Sequence, residues 1–150
     1  MKTERHVILV SPQIHWNTGN IGRTCLAVGA ALHLVEPVGF SLESRALRRA
    51  GLDYWPKVEL NVWKSFGQVE RHLKPAAGEV ALLTKTGESP FWLLPKTRRV
   101  ILVFGSETHG LPNNILARFR PFTYFIPIGA DIRSLNLSTA AGIALYESLR

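Results

Sequence analysis

Short apolar runs recur along the chain at residues 6–10, 32–35, 80–83, 100–104 and 123–126, and most of their residues are aliphatic, β-branched or aromatic. Runs of this length and composition read as strands buried on both faces. Residues 58–63 alternate in polarity and read as a further strand. Between the runs, residues 20–31, 44–50, 65–73, 113–119 and 136–149 carry helical spacing, each after a turn signal. Strand and helix thus alternate from end to end, which indicates an α/β fold built on a parallel sheet. No repeat, linker or charge block interrupts the series, and 150 residues suit one core, so a single domain over residues 1–150 is expected. In open parallel sheets ligands bind beyond the carboxyl ends of the strands, so the chemistry is sought in the segments that follow them.

Three such segments stand out. WNTGNIGRTC, at residues 16–25, leads from a strand into a helix through polar residues and two glycines that permit close backbone approach. Neither GxGxxG nor GxxxxGK followed by Ser or Thr is present, which sets aside the dinucleotide and phosphate-loop readings. Arg23 is expected one turn into the helix, where its cation and the exposed N-terminal N–H groups would hold a phosphate. The plainer reading is that Asn17, Thr18 and Asn20 cap the helix and Arg23 lies along its surface. FGSETHGLP, at residues 104–112, combines Gly105 and Gly110 with a single carboxylate, Glu107, and a proline suited to a helix start. A strand-to-helix turn accounts for the glycines and the proline but not for Glu107. IPIGADIRSLNLSTAAGIALYESL, at residues 126–149, runs through a polar bend into a helix whose Ala140, Ala141, Gly142 and Ala144 allow close packing. Ser134, Asn136 and Ser138 crowd its start, where one cap would suffice, and the surplus polar groups would be free to bind a ligand.

Composition narrows the partner rather than the fold. Eighteen Lys and Arg against eleven Asp and Glu give a net charge of +7, and twelve of the cations are arginine, which suits bidentate recognition of phosphate. A polyanion, and so a nucleic acid, is the natural partner. Apolar residues at 46% against 19% charged exclude a disordered chain. The single cysteine, Cys25, excludes an intrachain disulfide framework and reads as a small core residue. The five histidines show no metal-ligand spacing, so no metal is expected. The absence of a signal peptide or of an apolar stretch of about 20 residues points to a cytoplasmic protein without a membrane span.

Taken together and in this order, the three segments resemble the three motifs of the SPOUT methyltransferases of the TrmH (SpoU) branch, over nearly the whole chain. EPVGF at residues 36–40 and LRRAGLDYW at residues 47–55 look like the TrmL type, which methylates the ribose of the wobble nucleotide, cytidine or modified uridine, in certain leucine tRNAs. The resemblance implies an α/β parallel sheet whose C-terminal third is threaded into a trefoil knot, an exception to the rule that chains avoid knots. It implies S-adenosylmethionine as cofactor, lined by Leu82, Thr84, Gly105, Glu107, Ile126, Ile128, Ser134 and Leu135. It further implies a homodimer with a shared site, in which Arg23 of one subunit faces the cofactor of the other, and tRNA as substrate.

Within that resemblance Arg23 grips the target phosphate and orients the ribose hydroxyl, Asn17, Asn136 and Ser138 complete the pocket, and Glu107 fixes the geometry of its loop. Tyr146, on the final helix, is a secondary candidate. Three positions depart from the pattern: Trp16 where relatives usually have proline, Gly22 where they have a bulky apolar residue, and His109 where they usually carry a base such as arginine. The competing readings are 2'-O-methylation of another tRNA or rRNA nucleotide, and a non-catalytic RNA-binding module.

Overall fold

The computed structural model describes residues 2–43, 45–46 and 53–150. Seven strands form one sheet: β1 (Glu4–Val10), β2 (Ala31–Val35), β3 (Leu60–Trp63), β4 (Val80–Leu83), β5 (Ser89–Pro90), β6 (Arg99–Phe104) and β7 (Thr123–Phe125). Their order is β3-β2-β1-β6-β4-β7-β5, and every neighbouring pair runs parallel. Among the described residues, the sheet is covered by the helices α1 (His15–Val28), α2 (Phe66–Leu73), α3 (Asn113–Arg118) and α4 (Leu137–Glu147).

Strand periodicity sorts the apolar side chains between two cores. Val7, Leu9, Ala81, Leu83, Leu102 and Phe104 point to one face, where α1 contributes Ile21 and Cys25 and α4 contributes Ala141, Ala144 and Leu145. Ile8, Val10, Val80, Leu82, Ile101 and Val103 point to the other, beneath Val69 and Leu73 of α2 and Ile115 of α3. With both faces covered, the strands need no polar side, which is why they appear in the sequence as unbroken apolar runs. Burial pushes the Cys25 thiol up to about 12, the behaviour of a core residue.

The C-terminal helix is pinned to the start of the sheet by Arg5, only 4% exposed. Its guanidinium donates to the Ser148 carbonyl at 2.7 Å and hydroxyl at 3.0 Å, and to the carbonyls of Glu4 and Arg98 at 2.9 and 2.8 Å. A buried cation at the carboxyl end of α4 also complements the helix dipole.

The expected elements that fall on described residues are present with shifted ends. The helix expected over 20–31 begins at His15, so the NTGN stretch lies inside its first turns rather than ahead of it. The short edge strand β5 carries no periodic signal. Apart from residues 45–46, the helix expected over 44–50 lies outside the described residues, as does the 47–52 portion of LRRAGLDYW.

Candidate active site

A crevice of about 720 Å³ opens at the carboxyl ends of β4, β6 and β7, against the start of α1. Its volume falls within the range of about 300 to 1,000 Å³ of small-molecule sites. Three loops form its walls. After β4, the Thr84 N–H donates to the Tyr124 carbonyl at 2.9 Å and the Glu88 N–H to that of Thr123 at 3.2 Å, which lays the loop along β7. After β6, Ser106 and Gly110 exchange backbone hydrogen bonds of 3.3 and 3.0 Å and close the loop on itself. Gly105 is indispensable to that closure. A Cβ there would lie 2.0 Å from the Gly110 carbonyl carbon and 2.2 Å from the Leu111 nitrogen. The third wall is the segment after β7, with Ile126 and Ile128 facing the crevice.

A directed chain of hydrogen bonds joins the three sequence motifs. The Asn136 side-chain oxygen Oδ1 caps α4, accepting the Ser138 N–H at 2.9 Å, the Thr139 N–H at 3.4 Å and the Ser138 hydroxyl at 2.6 Å. Its amide nitrogen is therefore the donor to Asn17 Oδ1, at 3.0 Å. Asn17, 2% exposed, in turn donates from Nδ2 to Glu107 Oε2 at 3.2 Å. Glu107 also accepts the N–H groups of Gln13 at 2.8 Å and Ile14 at 2.9 Å, just ahead of α1. The carboxylate thus satisfies the N–H of Ile14, the residue at the cap position of α1, whose own side chain makes no capping bond. The Gln13 side-chain oxygen returns a contact to the same loop, accepting the Thr108 N–H at 3.2 Å. The 36–40 turn closes on this junction, with the Gly39 N–H donating to the Pro12 carbonyl at 2.9 Å.

Thr84, Gly105, Glu107, Ile126, Ile128, Ser134, Leu135, Asn17 and Asn136, all singled out in the sequence, line the crevice. Leu82 does not. Its side chain is fully buried in the opposite core, and Leu83, one position on, faces the crevice instead, because neighbouring strand residues point to opposite faces. Ser138 does not line it either, since its hydroxyl and N–H are both spent on capping α4.

Arg23 stands more than two turns into α1, on its exposed side, and does not line the crevice of its own chain. At the helix start it was expected to assist, the Glu107 carboxylate takes the N–H groups of Gln13 and Ile14. Lys85 and Arg133 lie on the crevice beside His109, although neither was singled out. Arg133 lies in the polar bend of the third segment, and Lys85 follows directly on the β4 run, so position after a strand was the available signal. Tyr146 is 57% exposed on the outer side of α4.

The profile of the SpoU rRNA Methylase family matches residues 4–146. A Synechocystis sp. protein assigned by name as a tRNA (cytidine(34)-2'-O)-methyltransferase is 43% identical over 145 residues, 96% of this chain and 94% of that protein. A structure solved in work on the 2-OH methylation of C/U34 on tRNA superposes with a TM-score of 0.87 at 41% identity, covering 99% of this chain and 90% of the other. The AdoMet-bound rRNA methyltransferase from Sinorhizobium meliloti gives a TM-score of 0.84 at 28% identity, covering 99% of this chain and 56% of that one. With a match that runs from β1 into α4, the chain belongs to the SpoU rRNA Methylase family.

Proposed function

We propose that the protein is an S-adenosylmethionine-dependent tRNA methyltransferase that acts on the ribose 2'-hydroxyl of nucleotide 34, the position printed in the names of its relatives. The observation that carries the reading is the Asn136–Asn17–Glu107 chain, which draws three sequence-distant motifs around one crevice at the strand ends. The crevice suits the cofactor: Leu83, Ile126 and Ile128 offer apolar walls for an adenine ring, and Thr84 and Ser134 offer hydroxyls for its polar groups. When bound, S-adenosylmethionine supplies an electrophilic methyl group.

A ribose hydroxyl is a weak nucleophile, so the protein's contribution is alignment, which can supply about 7 to 11 kcal/mol of the barrier. Arg23 provides it by holding the target phosphate. Its guanidinium has no acceptor lone pair and is not a base. Because Arg23 projects from α1 away from its own crevice, the complete site draws it from a second copy of the chain, and the active species is a homodimer. The exposed Leu26 and Tyr146, on the adjoining helices α1 and α4, supply apolar surface for that contact. Lys85, His109 and Arg133, at the crevice, face the tRNA backbone.

We read the chain as one SPOUT domain, with the segment from β7 through α4 threaded as a trefoil knot. The return of α4 from β7 onto α1, β1 and β6 supports that path. No helix among the described residues is long and apolar enough to cross a membrane, and the reaction is placed in the cytoplasm with its tRNA.

The test is transfer of labelled methyl to unmodified bulk tRNA, followed by mass mapping of the product. Label on the ribose of nucleotide 34 is expected. Label confined to another nucleotide, to a base or to rRNA overturns the target, and S-adenosylmethionine binding without any transfer overturns the activity.

A further inference from the structure

Arg23 lies outside the crevice, yet its side chain is held in place. The segment after the undescribed residues returns onto α1 through Tyr54 and Trp55. The Tyr54 hydroxyl donates to the Gly19 carbonyl at 2.7 Å, one turn before Arg23 on the same helix. Its ring then faces the Arg23 guanidinium, whose carbon is 5.7 Å from the ring centroid. Trp55, 8% exposed, closes against the helix at Gly22, where a Cβ would lie 2.6 Å from the indole Cζ3 atom. The glycine that departs from the family pattern is thus the space into which Trp55 packs, and that packing brings Tyr54 to Arg23. The phenol, ordinarily protonated at neutral pH and raised further by burial, is a donor there.

We propose that Tyr54 is a positioning residue for methyl transfer: anchored by its hydroxyl to Gly19, it holds the Arg23 guanidinium by a cation–π contact on the outer side of α1. The proposal rests on the reading that Arg23 serves the reaction. A guanidinium on a flexible stem presents its planar fork in one orientation only if something restrains it, and an aromatic face does so without neutralising the charge a phosphate must meet. A carboxylate partner would compete with that phosphate. Tyr54 does not line the crevice of its own chain, so its effect should appear in kcat and not in cofactor affinity.

The experiment compares Tyr54→Leu, Tyr54→Phe, Arg23→Ala and the Tyr54→Leu/Arg23→Ala pair in the methyl-transfer assay, with S-adenosylmethionine binding followed by calorimetry. Tyr54→Leu is expected to lower kcat about three- to thirtyfold, the span that corresponds to a cation–π contact between exposed and desolvated limits. Cofactor affinity stays unchanged, and Tyr54→Phe, which keeps the ring, stays within about threefold of wild type. In the Arg23→Ala background the leucine substitution should cost nothing further, because the contact it removes is already gone. Equal losses in both backgrounds, or wild-type turnover in Tyr54→Leu, overturn the proposal. Wild-type turnover in Arg23→Ala instead overturns the role of Arg23 itself. Should Tyr54→Leu not fold, the Arg23 Nε–H resonance of the wild-type protein decides. It is identified by its loss in Arg23→Ala and is expected to be ring-current shifted, and a position typical of a free arginine side chain refutes the contact.

Discussion

Replacing Asn17 by aspartate exchanges one heavy atom, nitrogen for oxygen, and reverses the logic of the site. The Asn17 amide nitrogen donates to a Glu107 oxygen at 3.2 Å in a position that is 2% exposed. Asn17→Asp sets a second carboxylate oxygen against the first. At an effective dielectric of about 20, two unit charges at that 3.2 Å separation repel by about 5 kcal/mol, a large fraction of a domain's stability. The variant escapes by keeping a proton on the introduced carboxyl, whose hydroxyl can then donate where the amide did. Its folded pKa therefore rises above the unfolded value of about 3.9, the folded state binds more protons, and stability relative to wild type falls as pH rises. Urea denaturation of both proteins at pH 5.5 and pH 8 checks this: the difference should be several kcal/mol at the higher pH and largely recover at the lower. Adding Glu107→Gln should restore part of the loss at pH 8, since the new amide can donate to the introduced carboxylate. Rescue stays incomplete because Glu107 also accepts the Gln13 and Ile14 N–H groups, one on each oxygen. A stability difference that is the same at both pH values, or a variant as stable as wild type at pH 8, would refute the directed chain.

Three further outcomes follow from the packing and the buried polar groups. Gly22→Ala should destabilise by about 1 to 3 kcal/mol through overpacking on Trp55, and Gly22→Ala/Trp55→Phe should be less destabilised than the two single changes summed, as read from urea midpoints. Gly105→Ala must push the Gly110–Leu111 backbone aside, so methyl transfer should fall about a hundredfold with loss of cofactor affinity by calorimetry; a variant with wild-type affinity would show that the loop has slack. The third concerns His33, 1% exposed: Trp63 donates to its Nδ1 at 3.0 Å, so its proton sits on Nε2, directed at His6 Nδ1 at 2.9 Å. Burial, with His6 and His72 adding repulsion, pushes its pKa down to about 3. Only the unfolded chain then takes up the proton as pH drops below about 6.5, and stability should fall on the order of 1 kcal/mol per pH unit from there towards pH 3. His33→Gln should lose less than wild type between pH 7.5 and 5.5 in denaturation midpoints, and an equal loss would count against a neutral buried His33.

The strands were legible because a parallel sheet covered on both faces asks for little but apolar side chains, and residues 7–10, 80–83 and 100–104 supply just that. Glu107 was legible as the one residue in its loop that turn geometry could not explain, and Asn136 as one of three polar residues at a helix start where one cap suffices, the cap it turns out to be; Asn17 was equally readable as an ordinary helix cap. Their partners were not legible, because each bond spans most of the chain: Asn136 reaches Asn17 across 119 positions and Glu107 reaches Ile14 across 93. The start of α1 moved to His15 for a related reason, since Ile14 at its cap position has no polar side chain to signal a start and its N–H is met by Glu107 from a distant loop. Leu82 and Leu83 are indistinguishable by composition, and only the pairing of β4 with β6, Leu83 opposite Phe104, decides which of them faces the crevice. Local periodicity depends on what each residue prefers to bury, so a linear reading recovers it. Strand order, sheet face and the closing of loops onto one another depend on long-range hydrogen bonds and register, which exist only once distant segments have met.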